Sequence, residues 1–159
     1  MDDEILAVVE ASAIRRWMGI AMLAFVAFLV LYVAFATPPD LLWQIFLMVV
    51  GGIALWTAER MRRATTARLE LTRTELRDSV AGTIVALDDI ATVDRGTFAF
   101  KPSNGFLIRT KKPGARGWRP GLWWRMGRRI GVGGVAAAHQ TKAMAEALSM
   151  HLLARDGAP

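Results

Sequence analysis

The residues best suited to chemistry lie in one segment, KKPGARGWRPGLWWRMGRR, residues 111–129. Seven bases (Lys111, Lys112, Arg116, Arg119, Arg125, Arg128 and Arg129) interleave with Trp118, Trp123 and Trp124. The segment sits inside a run of 51 residues, between Asp94 and Glu146, that contains no carboxylate. Cations without internal counter-ions attract phosphates or acidic surfaces, and indoles supply anchors. Three partners fit that chemistry: anionic lipid head groups, an acidic or membrane-embedded protein, and nucleic acid through phosphate contact and base stacking. The first is favoured and the last is weakest. A fourth reading puts the tryptophans in a core and the arginines on a solvated rim. Under every reading at least one of Trp123 and Trp124 is structural. Sixteen arginines against four lysines suit bidentate contact, a bias that genome composition produces as readily. Pro113, Gly114, Gly117 and Pro120 are expected to break regular structure here.

Signals for catalysis fail one by one. The chain has no cysteine, which excludes a disulfide scaffold, a cysteine–zinc site, an iron–sulfur cluster and a thiol nucleophile. His139 and His151 are the only histidines. On one helix they point about 120° apart and cannot share a metal. Asp88-Asp89 could serve as an acid–base or metal pair, but adjacent carboxylates in a strand–turn context point apart, and a turn or cap role is favoured. Ser79, Ser103 and Ser149 have no histidine–acid partners within sequence reach. Gly131-Val132-Gly133-Gly134-Val135-Ala136 fits a loose G-x-G-x-x-A form, yet too little chain follows for a βαβ unit. Those glycines are expected to turn the last strand into the last helix. The expectation is a protein that is no enzyme and has neither cofactor nor metal.

What positions the basic segment is set by the apolar residues. The chain has 159 residues, is 53% hydrophobic and carries a formal charge of +6. Residues 17–39 hold no charge, and neither do residues 41–58. The stretch 17–36 is long enough at 1.5 Å per residue to cross a hydrocarbon core of about 30 Å. A cleaved signal peptide is disfavoured, because residues 1–10 carry acids and no base. Thr37-Pro38-Pro39-Asp40 ends the first helix, and Asp40 can cap the next. The second span, 41–58, holds Gln44, Gly51 and Gly52; a full span is favoured over a re-entrant segment. Arg15 and Arg16 precede the first span, and Arg60, Arg62 and Arg63 follow the second, so both termini are expected in the cytoplasm. Trp17, Tyr32, Trp43 and Trp56 lie near span ends, where such rings prefer the interface. Small residues that let helices approach are Ala24, Ala27 and Ala34 on the first span and Gly51, Ala54 and Ala58 on the second. Gln44 either bonds across the helices or sits among head groups. Neither span holds an ionisable residue, so an ion path within this chain alone is disfavoured.

The organisation that follows is a cytoplasmic N-terminal segment (1–16), a transmembrane hairpin (17–58), a basic helical linker (59–68) and a cytoplasmic domain (69–159). In the domain, short β-rich runs are expected at 69–73, 74–77, 83–87, 90–93, 97–100, 106–110 and 129–132, with Pro102-Ser103-Asn104-Gly105 as a strong turn. Residues 135–154 read as an amphipathic helix. One stripe is Ala143, Ala147, Met150 and Ala154, with Met144, Leu148 and Leu152 beside it. Gly157 suits its stop.

Residues 69–77, the stretch Gly82-Thr83-Ile84-Val85-Ala86-Leu87-Asp88-Asp89-Ile90 and the closing helix together resemble the bacterial pleckstrin-homology (PH) domain proteins. These are small membrane proteins with two spans followed by one such domain. The resemblance covers about residues 65–153 and the hairpin, and leaves 115–127 without a counterpart. It implies an α+β membrane protein, in which a two-helix transmembrane hairpin is followed by a PH-like antiparallel β-barrel closed by a C-terminal α-helix, at the bacterial inner membrane. Resemblance and charge together point to binding: a scaffold whose basic, Trp-rich loop contacts anionic lipid head groups or a membrane protein partner. Lys111, Lys112, Arg116, Arg119, Arg125, Arg128 and Arg129 would make the contacts, with Trp118 and Trp123 as interfacial anchors. The alternative is an accessory subunit of a larger inner-membrane complex. The oligomeric state is left open.

Overall fold

A computed structural model describes residues 4–96 and 102–157. Two long helices, α1 (Ala13–Ala36) and α2 (Leu41–Ala64), are long and apolar enough to cross a membrane. Most of their bulky side chains are exposed, including Phe25, Phe28, Phe35, Leu42 and Ile53. Helix α1 stops at the two prolines. Asp40 occupies the position before α2 but makes no side-chain cap; its carbonyl accepts the Gln44 amide instead.

Small residues hold the helix pair together. Ala27 and Ala34 are fully buried, and Gly51 and Ala58 are buried as well. A Cβ at Gly51 would lie 2.7 Å from Leu31 Cδ2, so a larger residue here would have to displace Leu31. Of the small residues named above, Ala54 is half-buried and Ala24 faces outward. The Gln44 side-chain amide donates to the Ala34 carbonyl at 2.9 Å, which selects the cross-helix role over the head-group one.

The rest is antiparallel sheet and one helix. Strands β1 (Ala7–Val9), β2 (Leu69–Leu71), β3 (Glu75–Asp78) and β4 (Gly82–Ala86) form one sheet in that order. A single 3₁₀ turn, Leu87–Asp89, leads into the second sheet: β5 (Ile90–Asp94), β6 (Phe106–Arg119) and β7 (Trp123–Val132). Helix α3 (Ala138–Asp156) packs on both. The layout is thus α+β, with two sheets; among the described residues they do not close into a barrel. The core is one cluster that includes Val9, Leu69, Leu76, Ile90, Phe106, Ile108, Leu122, Trp123, Ile130, Met144 and Leu148.

The structure goes beyond or against the sequence reading at three places. The segment before α1, read from sequence only as a cytoplasmic stretch, supplies a strand of the first sheet: Ala7 pairs with Leu71 and Val9 with Leu69. Ala137 and Ser12 amides then donate to the Glu10 and Val135 carbonyls, tying this segment to the start of α3. The two flanks of the helical hairpin are therefore stitched together at one end. Next, the prolines and glycines of 113–120 do not break the structure. They sit inside one long, curled hairpin, with register shifts around Gly114 and Gly117. Its tip folds back, and the Gly133 and Val135 amides donate to the Leu122 and Gly121 carbonyls. Finally, α3 buries Thr141, Met144, Ala145, Leu148 and Leu152, whereas Met150 is 70% exposed. The stripe through Met144 is the core stripe, and the one through Met150 faces out. The strand expected at 97–100 lies outside the described residues.

Candidate functional site

The β6–β7 hairpin carries every candidate contact residue, and its register sorts them into two groups. Arg119 faces Trp123 across the end of the hairpin. Both turn inward to Asp78, which is buried at the end of β3. Asp78 Oδ1 accepts the Val80 and Ala81 amides at 2.8 and 2.9 Å. Its Oδ2 accepts the Trp123 indole N–H at 2.8 Å and lies 3.4 Å from Arg119 Nε. Burial opposes the charge on Asp78. The Trp123 indole, the Ala81 and Val80 amides and the Arg119 guanidinium outweigh it and hold the carboxyl below its ordinary value. Trp123 is only 7% exposed, a core position that removes it as an interfacial anchor.

Arg125 is committed too. Its guanidinium donates to the Ile84 carbonyl of β4 and covers Gly114, where a Cβ would clash with it. That close approach explains a glycine in mid-strand. Glu70, a buried carboxylate in β2, plays the same part on the first sheet. It accepts from Arg68 Nε and Arg77 Nε, both at 2.9 Å. Asp78 was legible only as a turn signal, and Glu70 only as the polar member of an alternating strand.

The second group faces solvent. Lys111, Lys112, Arg116, Arg128 and Arg129 are exposed, and none has an ion-pair partner among the described residues. Arg109 stands directly opposite Arg129, also exposed. Like charges across a ladder repel, and neither arginine of this pair has a counter-charge among the described residues. Met126, 63% exposed, lies among them.

Trp118 connects the hairpin to the helices. Its ring centroid lies 6.3 Å from that of Trp56 in α2. The Arg60 guanidinium carbon lies 5.1 Å from the Trp56 ring and 5.4 Å from the Trp118 ring. Each such cation–π contact is worth roughly 0.5–1 kcal/mol at an exposed site. Gly121, at the hairpin tip, packs against the end of α2: a Cβ there would lie 3.5 Å from Met61 and 3.3 Å from Thr65, the residue after the helix. Trp118 nevertheless stays 48% exposed.

The remaining motifs take structural places. Gly133 and Gly134, at φ +143° and +102°, turn β7 into α3, and the Gly134 amide donates to the Ser103 carbonyl. Asp88 and Asp89 lie in the 3₁₀ turn. His139 and His151 both lie on α3. Comparison with protein-family models, curated proteins and solved structures finds no match.

Proposed function

We propose that this protein is a membrane-anchored binding module. In this reading α1 and α2 span the cytoplasmic membrane of a bacterium with both termini inside. The two-sheet domain is a variant of the PH-like outline and has no catalytic role. Its exposed ridge of Lys111, Lys112, Arg116, Arg128 and Arg129 meets anionic lipid head groups. The Trp118–Arg60–Trp56 stack carries the reading. Trp56 ends the uncharged part of an apolar helix, a depth at which indole rings favour the head-group layer. A half-exposed Trp118 against it brings the start of the cationic ridge to that depth. Each base near an anionic leaflet contributes about 1 kcal/mol, so three engaged bases favour contact by roughly a hundredfold. Tethering makes such a contact effective even when it is weak by itself.

The test uses the full chain in nanodiscs, because the domain includes a strand that precedes α1. Hydrogen exchange across β6 and β7 is compared in neutral phosphatidylcholine and in a mixture containing phosphatidylglycerol. Anionic lipid should protect the hairpin, and high salt should remove that protection. Replacing Lys111, Arg116, Arg128 and Arg129 with glutamate should abolish it. Equal exchange in both bilayers would overturn the reading. Stoichiometric co-purification of a membrane protein covering this ridge would replace it with the accessory-subunit alternative.

A further inference from the structure

A second polar feature lies at the base of the helices, where the strap before α1 meets the link after α2. A cavity of about 550 Å³ opens there, with walls that include Glu10, Arg16, Thr66, Arg68 and Ser79. Most of these groups are already engaged. The Thr66 hydroxyl donates to the Arg63 carbonyl at 2.7 Å, and Ser79 Oγ accepts the Arg68 amide at 3.1 Å. Arg68 Nε is bonded to Glu70, and its Nη1 stands 3.9 Å from Glu10 Oε1, too far for a hydrogen bond. Arg16 differs. Its Nε is shielded from solvent and has no acceptor among the described residues, and the same holds for Nη1 of the adjacent Arg15. The Arg16 guanidinium carbon lies 5.3 Å from the Trp17 ring, a contact that uses none of its N–H groups. The walls thus include an arginine whose buried Nε lacks an acceptor and a half-exposed carboxylate that is only loosely held. Just above, Trp17 and Met18 of α1 are both more than half exposed.

We propose that this cavity seats the head group of one aminophospholipid, its phosphate taken by Arg16 and its ammonium by Glu10. A phosphate oxygen supplies the charge-assisted acceptor that Arg16 lacks. With Arg68 held by Glu70, a zwitterion matches the remaining cation and anion, whereas a glycerol head group would leave Glu10 facing a phosphate. Trp17 and Met18 give the acyl chains an apolar surface along α1. The proposal rests on the membrane reading above only for the depth of this end of the hairpin. Its ligand and residues are separate from the β6–β7 ridge.

The test titrates the full chain in mild detergent with short-chain phosphatidylethanolamine, short-chain phosphatidylglycerol and inorganic phosphate. Bound mass is read by native mass spectrometry, and stability by thermal unfolding. The expected result is one saturable phosphatidylethanolamine per chain, with phosphatidylglycerol at least about tenfold weaker and no saturable effect of phosphate. Arg16→Gln should weaken phosphatidylethanolamine at least about tenfold, and Glu10→Gln should erase its advantage over phosphatidylglycerol. Lys142→Gln, an exposed position on α3 away from both surfaces, should leave both unchanged. Parent-like binding by Arg16→Gln, equal affinity for the two lipids, or saturation by phosphate alone would each overturn the site. If Arg16→Gln does not fold, Glu10→Gln decides: an unaltered preference rejects the proposal. Loss of the anionic-lipid effect on the hairpin, with this site intact, would sink the ridge reading alone.

Discussion

Arg119 and Arg125 share a hairpin with Arg128 and Arg129, yet the two pairs do opposite work. The first pair is tied inward, to a buried carboxylate and to a backbone carbonyl of β4. The second pair is exposed and unpaired, and Arg129 even opposes another arginine. In sequence the four are indistinguishable: each stands beside a glycine, a proline, a tryptophan, a methionine or another base. Strand register and two inward partners, Asp78 at the end of β3 and the Ile84 carbonyl of β4, separate them. A dense cationic run is therefore not one surface. Part of it anchors the hairpin so that the remainder can stay uncompensated.

Asp78→Ala should break the distinction most forcefully. It strands the Trp123 indole and the Arg119 guanidinium in a dry setting, and unfolding in detergent should show a loss of about 3 kcal/mol or more. A loss below about 1 kcal/mol would mean that Asp78 does not pin the hairpin. Acidification should act through the same group with a smaller effect. Because the folded carboxyl titrates below its ordinary value of 3.8, its contribution is complete above that pH. It is lost as the pH falls further, through the folded value. Stability measured downward from pH 5 should drop more steeply in the parent than in Asp78→Asn. The least change in stability belongs to the outer pair. Arg128→Glu should shift it by no more than about 0.5 kcal/mol. Arg129→Glu should raise it by a few tenths of a kcal/mol, since it converts a repulsive cross-strand pair with Arg109 into an attractive one. A substitution that stabilises the fold while weakening lipid contact would mark a surface kept cationic for reasons other than stability. Strong destabilisation by either would place these residues with the anchoring pair.

Much of the fold was legible, and the failures share a cause. The helical hairpin could be read because length and the absence of charge suffice to define it. Helix α3 could be read from its formers, but alanines report little about facing, so its pattern does not by itself say which stripe is buried. Strand β1 was overlooked: Ile5-Leu6-Ala7-Val8-Val9 is apolar and partly β-branched, yet its partner lies beyond two whole helices. The long β6–β7 hairpin was cut short because Pro113, Gly114, Gly117 and Pro120 signal breaks, whereas here the glycines serve close approach and bulges. The contact surface was half legible. Charge density marked the segment, but nothing local shows that Asp78 claims Arg119 and Trp123, and the gap at Arg16 arises only when the ends of α1 and α2 meet the first sheet.

The pairing of β1 with β2 has a consequence for the order of assembly. The chain makes the first strand of its sheet, then both long helices, and only afterwards the three strands that complete it. Until the second helix has been laid down beside the first, β1 has nothing to zip to, and β2 keeps an open edge. Successful closure of the sheet thus reports that the helical pair has formed correctly. A fragment starting at α2 or later would inherit a sheet with its outermost stave missing.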